Sequence, residues 1–386
     1  MLARRIIPRI RTMATDAKTP LYFTPDLSGS KDEVIVTDSG HCSILTLNRP
    51  KAMNSLTLNM IEKIYEQLTI NEEKTGKYTT IVRSEGNAFC AGGDVKALYQ
   101  KKKENSDAVN SYGREFFRKE YTMNHFIANM KTNYVSIMDG ITFGGGVGIS
   151  LPGRFRIATE RTQWAMPETA IGLFPDVGAS YFLPRLRGQL GMYLALTGST
   201  LKGADVLHAG VATHFVPSHL LNRVLERLQE VEYHPQSVDN AIKERATLPP
   251  PSDGFAESLP IIEECFSKDS VEAIIDSLRA SNTDFGRAAI NRLEKMSPLS
   301  LKMTFKEMRA GRGLTMEQCF QMEYRLASHC LEGHDFYEGV RAALVDKDRN
   351  PKWQYATLAD VPGSVVDSYF RPIADEFHLS PPVSRL

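Results

Sequence analysis

Gly86-Asn87-Ala88-Phe89-Cys90-Ala91-Gly92-Gly93-Asp94 separates a strand-like run at residues 79–82 from a helical segment. Small residues in such a turn expose backbone N–H groups with no Cβ in the way. The same stretch also suits a plain strand-to-helix turn capped by Asp94. What surrounds it decides between the two.

Upstream, residues 33–37 and 43–47 read as two strands joined at Asp38-Ser39-Gly40. Asn48-Arg49-Pro50 ends the second strand. Met60, Ile61, Ile64, Tyr65 and Leu68 then recur at helical spacing, with Asn54 or Ser55 placed to cap that helix. Downstream, an amphipathic helix spans about 108–128, with Phe116, Phe117, Tyr121 and Ile127 on its apolar side. A buried strand at 134–138 leads into a glycine-rich turn. Another strand at 154–158 and helices near 188–197 and 218–230 complete this half. Strands alternating with helices predict an α/β domain of layered sheets covered by helices. Pro249-Pro250-Pro251 marks a stiff break. Beyond it the pattern is helical, at 255–265, 270–280, 284–295, 299–311, 315–331 and 335–344. The expected division is a leader at 1–30, an α/β core at 31–248, a helical part at 249–355 and a tail at 356–386. No repeat of 20–50 residues and no low-complexity tract is present.

Of the 386 residues, 42% are apolar and 24% charged, as in an ordinary globular chain large enough to bury a sizeable core. Lysine plus arginine equals aspartate plus glutamate at 46 each. That balance excludes an electrostatic nucleic-acid binder, so any anionic ligand must be held by a local site. No apolar run approaches a membrane span. Cys42, Cys90, Cys265, Cys319 and Cys330 are odd in number and scattered, which reads as reduced thiols in an intracellular compartment. The nine histidines show no HExxH or other close ligand spacing, so no metal site is expected. Arg4, Arg5, Arg9 and Arg11 precede the first acid, Asp16, among Leu2, Ile6, Ile7 and Ile10. That is the composition of a mitochondrial transit peptide, with a basic tail as the plainer alternative. Ser384-Arg385-Leu386 resembles a peroxisomal address, which ranks second to the mitochondrion.

Two further stretches bear on chemistry. Gly144-Gly145-Gly146-Val147-Gly148 comes after a strand and short loop. Glycines opening a helix leave unsatisfied N–H donors at the positive end of its dipole, which suits a developing negative charge. Close packing of helix on strand explains them as well. No Gly-Lys-Ser/Thr comes next, and Ile149 breaks a GxGxxG pattern. The second stretch is Met166-Pro167-Glu168-Thr169-Ala170-Ile171-Gly172-Leu173-Phe174-Pro175-Asp176. On one straight helix its two acids would lie about 12 Å apart. Gly172 and Pro175 break that helix and let both acids point into one cavity. A carboxylate among Met, Ile, Leu and Phe is partly desolvated, and its pKa rises towards the range of an acid–base catalyst. The structural alternatives are an acid in a first helical turn for Glu168 and an N-cap for 177–183 for Asp176.

Asn48-Arg49-Pro50, the 89–94 loop and the triple glycine, in this order, resemble the crotonase (enoyl-CoA hydratase/isomerase) superfamily. Tyr181-Phe182-Leu183-Pro184-Arg185-Leu186, Ala195-Leu196-Thr197-Gly198, Ala212-Thr213-His214-Phe215-Val216, Ser297-Pro298 and Phe336-Tyr337-Glu338-Gly339-Val340-Arg341 extend the likeness to its thioester hydrolases, across residues 33–355. The resemblance implies a spiral of repeated ββα units with a helical C-terminal part. It implies an oxyanion hole at the N–H groups of Gly93 and Gly145, active-site acids at Glu168 and Asp176, and a substrate-contacting acid at Glu120. For Glu120 the plain reading is a solvated surface glutamate. Hydratases of the superfamily carry a glutamate two residues after the triple glycine. Here that position is Gly148, while Asp176 replaces a small residue eight positions after Glu168. The implied activity is hydrolysis of the thioester of 3-hydroxyisobutyryl-CoA in valine breakdown. The implied partner is a small-molecule acyl-CoA, with no cofactor, nucleic acid or membrane and with possible homo-oligomers. Lys51, Lys96 and Lys101–Lys103 are candidates for the CoA phosphates. The alternatives are a hydratase or isomerase on the same fold, and a non-catalytic acyl-CoA-binding or ribosome-associated scaffold.

Overall fold

β1 (Val34–Ser39) and β2 (Cys42–Leu47) form the expected hairpin, with Ser39 opposite Cys42. The turn is therefore Gly40-His41, which shares only Gly40 with the expected Asp38-Ser39-Gly40, and Gly40 takes the φ of +57° that its first position needs. The structure, a computed structural model, describes residues 32–379 except 74, 75, 105 and 233. The expected leader and the Ser384-Arg385-Leu386 signal lie outside the described residues.

From β2 the chain winds as a spiral. Each turn gives one strand to a larger sheet and the next to a smaller one: β3 (Thr79–Ser84) then β4 (Ala88–Cys90), β5 (Asn133–Met138) then β6 (Ile141–Phe143), β7 (Phe155–Ala158) then β8 (Gln163–Ala165). β9 (Leu201–Lys202) closes the small sheet and β10 (His214–Phe215) the large one. Among the described residues the large sheet runs β1-β2-β3-β5-β7-β10 and the small one β4-β6-β8-β9. Strands β2 to β10 of the large sheet are parallel, as are β4, β6 and β8. Every residue of β5 is buried, as a central parallel strand covered on both faces must be.

Helices fill the crossovers: α1 (Leu58–Glu73), α2 (Val95–Glu104), α3 (Ser106–Ala128), α4 (Gly145–Gly148), α5 (Ala179–Phe182), α6 (Leu190–Thr197), α7 (Ala204–His208), α8 (Leu221–Glu230) and α9 (Pro235–Lys243). The helical part supplies α10 (Asp253–Cys265), α11 (Val271–Ser281), α12 (Asp284–Leu293), α13 (Pro298–Gly311), α14 (Met316–Glu332), α15 (Asp335–Val340) and α16 (Gly363–Tyr369). Side-chain caps set its boundaries. Ser270, Thr283, Ser297 and Thr315 each accept a backbone N–H at a helix start. Among the described residues no helix is long and apolar enough to cross a membrane.

The large sheet buries both faces. On one, Cys42, Ile81, Val135 and Ile157 meet Val224, Leu228, Val238 and Ile242 of α8 and α9. On the other, a continuous apolar core runs from Leu45 and Ile61 through Phe117 and Tyr121 to Phe320 and Leu331. At about 1.5–3 kcal/mol per buried large side chain, this shared core binds the helical part to the spiral. Aromatic contacts add to it, Tyr121 and Phe320 standing 5.8 Å apart between α3 and α14.

Asn54 corrects the sequence reading of α1. Thr57 is the cap, its Oγ1 accepting from Met60 N at 3.1 Å. Asn54 lies fully buried at φ +54°. Its Nδ2 donates to the carbonyls of Ala88 (2.7 Å) and Glu85 (2.9 Å), and its Oδ1 accepts from Arg49 N (2.7 Å). It thus ties the Asn48-Arg49-Pro50 turn to the 86–94 loop. Asn54→Ala leaves three backbone groups unpaired and should cost about 2–4 kcal/mol. A denaturant-unfolding midpoint unchanged from the parent protein would contradict this.

Candidate active site

Two glycine turns from different spiral turns touch. Leu56 bonds to the neighbours of Gly93, receiving Asp94 N at 2.8 Å on its carbonyl and donating to Gly92 O at 2.8 Å. The Gly93 N–H therefore faces away from Leu56. Arg49 steadies the loop end, pairing with Asp94 and Glu33 at 3.1 Å each. Across the gap, a methyl group built on Gly145 would stand 3.0 Å from the Gly93 nitrogen, and one on Gly146 would stand 2.2 Å from the Cys90 carbonyl oxygen. Neither the Gly93 N–H nor the Gly145 N–H has a hydrogen-bond partner among the described residues. Both readings of the triple glycine hold: it packs α4 against β4, and it leaves a donor free. The expected helix dipole shrinks, because α4 is one turn long. Tyr134 Oη fixes the far end of that turn, donating to Ile149 O at 2.6 Å.

Glu120, Glu168 and Asp176 converge on these amides, and all three are buried. Glu168 opens a 3₁₀ turn (Glu168–Ile171) that ends at Gly172, with φ +71°. A methyl group on Gly144 would lie 2.7 Å from Glu168 Oε1, and one on Gly145 would lie 2.6 Å from Glu120 Oε1. Glycine thus makes room for each acid. Asp176 is brought in by Val177 and Gly178, at φ +54° and +91°. A β-branched residue in that region costs about 1–3 kcal/mol. Asp176 does not cap α5, whose N-cap is Gly178. Its carboxylate instead accepts the Tyr121 hydroxyl at 2.7 Å. Glu120 is not a solvated surface residue, being 2% exposed on the inward face of α3.

Burial raises all three pKa values by desolvating the charged forms. Asp176 rises to about 6, the Tyr121 hydrogen bond opposing the rise. Glu168 and Glu120 stand well above the usual carboxylate range, burial being reinforced by the charge of Asp176. Glu120 Oε1 and Glu168 Oε2 have no hydrogen-bond partner among the described residues. The ensemble offers two free amide donors, one acid poised to stay ionised and two poised to move a proton. Cys90, in the same loop, is no nucleophile, since burial pushes its thiol up to about 12. All five cysteines are buried and unpaired. Among the described residues no group of three or more His, Cys, Asp or Glu could hold a metal ion.

A methyl group on Gly148 would lie 2.7 Å from Val177 Cβ and 3.0 Å from Asn124 Nδ2. The place where a superfamily hydratase carries its first glutamate is therefore filled from outside. Lys101, Lys102 and Lys103 end α2, each ammonium over a tyrosine ring, of Tyr112, Tyr337 and Tyr99, at 4.6–5.1 Å.

The enoyl-CoA hydratase/isomerase family profile matches residues 42–370, and the chain belongs to that family, the crotonase superfamily. Within it, the chain is 46% identical over 355 residues to the mitochondrial 3-hydroxyisobutyryl-CoA hydrolase of Rattus norvegicus, covering 88% of this chain and 89% of that one. Among solved structures it resembles a carnitinyl-CoA dehydratase from Mycobacterium thermoresistibile (38% identity, TM-score 0.83, 90% of this chain and 98% of that one). It also resembles an enoyl-CoA hydratase from Rhodobacter sphaeroides (31% identity, TM-score 0.81, 90% and 100%).

Several residues of the site escape a reading of the sequence. Tyr121 stands there only as part of an apolar stripe. Glu307 and Glu323 lie fully buried on α13 and α14 behind the site. An acid among Phe320, Tyr324 and Leu326 is the available signal. Glu323 is satisfied by Gly178 N (2.8 Å), Ser180 N (3.0 Å) and the Ser180 hydroxyl (2.5 Å), and burial raises it to about 8. Glu307 has neither oxygen paired among the described residues. Burial, with the charges of Glu323, Asp176 and Glu168, holds it well above the normal range.

Glu307 therefore holds its proton to higher pH in the folded state than in the unfolded chain, which releases it above about pH 4.5. Across that window the folded state binds more protons, so this residue's contribution to stability falls by about 1.4 kcal/mol per pH unit as pH rises towards the folded pKa. Glu307→Gln removes that dependence. The variant's gain in unfolding free energy over the parent should grow as the pH rises from 5, and a gain independent of pH would refute the burial argument.

Proposed function

We propose that this chain hydrolyses 3-hydroxyisobutyryl-CoA to 3-hydroxyisobutyrate and free CoA, a step of valine breakdown, in the mitochondrial matrix. It is an acyl-CoA thioester hydrolase. The observation that carries the reading is the exchange of acids on a common frame: no side chain at Gly148, whose place Val177 closes, and Asp176 beside Glu168 in one buried pocket. Hydratases of the superfamily, which add water across a double bond, pair the Glu168 position with a glutamate at the position of Gly148, which has no side chain here. The mitochondrial hydrolase, alike over most of the chain, supports both activity and compartment.

In this scheme the thioester oxygen lies between the N–H groups of Gly93 and Gly145. Those donors are fixed by the glycine contact before substrate arrives, so charge developing on oxygen meets a preorganised site. One such donor lowers the barrier by about 3–4 kcal/mol. Glu168 is the principal acid–base group. As a carboxylate it either takes a proton from the attacking water or attacks the carbonyl itself, giving an anhydride that water opens. In either case the thiolate of CoA leaves and is protonated. Asp176, held ionised by Tyr121, orients the water or the 3-hydroxyl of the acyl group. Glu120 contacts the substrate at Gly145. The scheme uses no metal or redox cofactor, and CoA enters as part of the substrate, with Lys51, Lys96 and Lys101–Lys103 as candidates for its phosphates.

A hydratase reading is favoured by the names of the two structural relatives, and one assay separates the two. Free thiol is measured across 3-hydroxyisobutyryl-, 3-hydroxypropionyl- and crotonyl-CoA, with crotonyl-CoA hydration monitored in parallel. CoA release from the 3-hydroxyacyl esters without hydration is expected. Glu168→Gln should lower kcat for that release at least ~10³-fold and leave ester binding within a few-fold. Near-normal turnover in that variant would reject the assignment.

A further inference from the structure

Asp176 is aimed by a turn that a chain does not adopt readily. Val177 and Gly178 stand at φ +54° and +91°, and a left-handed β-branched residue persists only where its surroundings over-determine it. The turn must therefore be held, and α14 holds it. Glu323, fully buried on that helix, spreads its two carboxyl oxygens over the turn. Oε2 accepts the Gly178 N–H at 2.8 Å, and Oε1 accepts the Ser180 N–H at 3.0 Å and the Ser180 hydroxyl at 2.5 Å.

The same helix backs the other support of Asp176. Phe320 lies one helical turn before Glu323 on the same face. Its ring stands 5.8 Å from that of Tyr121, whose hydroxyl donates to Asp176 at 2.7 Å. A methyl group on Gly178 would meet the Phe320 ring at 3.1 Å, so that ring also bounds the turn. From α13, a methyl group on Gly311 would lie 2.0 Å from the Ser180 carbonyl oxygen. Asp176 is thus held at its carboxylate through Tyr121 and at its backbone through Gly178 and Ser180, with α14 behind both. The chemistry of the tie is specific. A carboxyl group has an acceptor at each end, and the turn presents an N–H to each. A carboxamide has one acceptor end and one donor end, so it serves one of those N–H groups and sets its own N–H against the other.

We propose that Glu323 is a positioning residue for the reaction, acting through Asp176 by fixing the turn that aims its carboxylate. This rests on the hydrolase reading, in which Asp176 orients the water or the 3-hydroxyl. Misplacing such a group by about 1 Å costs on the order of 10²-fold in rate. Two residues that act as one unit are also non-additive, so the second loss adds little to the first.

The test is a double-mutant cycle on kcat/KM of the full-length protein for 3-hydroxyisobutyryl-CoA, read in single turnovers with enzyme in excess so that slow variants stay measurable. Glu323→Gln should lower kcat/KM by ~10²-fold in the parent. In the Asp176→Asn background it should lower it by no more than about twofold, because an acid already lost cannot be misaimed. Ser180→Ala removes the hydroxyl that donates to Glu323 and leaves the N–H. It should act in the same way on a smaller scale, about fivefold in the parent and none in the Asp176→Asn background, and it carries the cycle if Glu323→Gln does not fold. A residue that merely stabilises the protein would lower both backgrounds by the same factor, and that result overturns the proposal. So does parental kcat/KM in folded Glu323→Gln or Ser180→Ala, or in Asp176→Asn, while the hydrolase reading stands on the activity itself. If the unmutated protein releases CoA from no short acyl ester, the hydrolase reading falls and the proposal with it.

Discussion

Backbone meets backbone where the 86–94 loop crosses the start of α4, with no room for a Cβ at Gly145 or Gly146. That contact determines much of the site. It points two amides from residues far apart in the chain towards one cleft, and it leaves the pockets into which Glu168 and Glu120 settle. Much of the surrounding scaffold serves to hold it. Asn54 and Arg49 brace the loop side, while Tyr134 anchors the helix side to β5. A donor pair positioned by such a rigid crossing does not have to reorganise as charge develops during a reaction.

Behind the amides, the site is acidic and dry. Glu120, Glu168, Asp176, Glu307 and Glu323 are all buried, and their mutual charge compounds the effect of desolvation on most of them. Environment sorts their proton affinities: a phenol lowers Asp176, two amides and a serine hydroxyl temper Glu323, and Glu307 has no such help. The helical part does more than cover this cluster. α13 begins with Ser297, whose N–H donates to Thr169 O at 3.1 Å and whose hydroxyl donates to Asp335 at 2.6 Å. Gly172 and Gly339 let α15 approach the Glu168 turn at backbone distance. The Glu168 turn is thus clamped by residues more than 120 positions away.

The spiral's longer elements are legible in the sequence because each carries enough residues for a period to show. β2, β5, α1 and the helices of the C-terminal part fall close to where spacing puts them. The strands β4, β6, β8, β9 and β10 span two or three residues, too few for alternation, and spacing reveals none of them. The candidate site is legible as glycines and acids, and its convergence stems from Gly172 breaking the helix. Val177 is not legible: nothing in its neighbours announces a left-handed β-branched residue. Asn54 reads as a cap because its type favours caps, whereas its side chain serves a distant loop.

The Val177 side chain occupies the space into which a side chain at Gly148 would project. A lineage that exchanges an acid at one of these positions therefore meets a steric gate at the other. Restoring a glutamate at 148 on this background drives it into Val177, and relaxing Val177 first disturbs the turn that aims Asp176. The two positions are epistatic: a path between the two arrangements of acids needs paired replacements, with a poorly active intermediate between them.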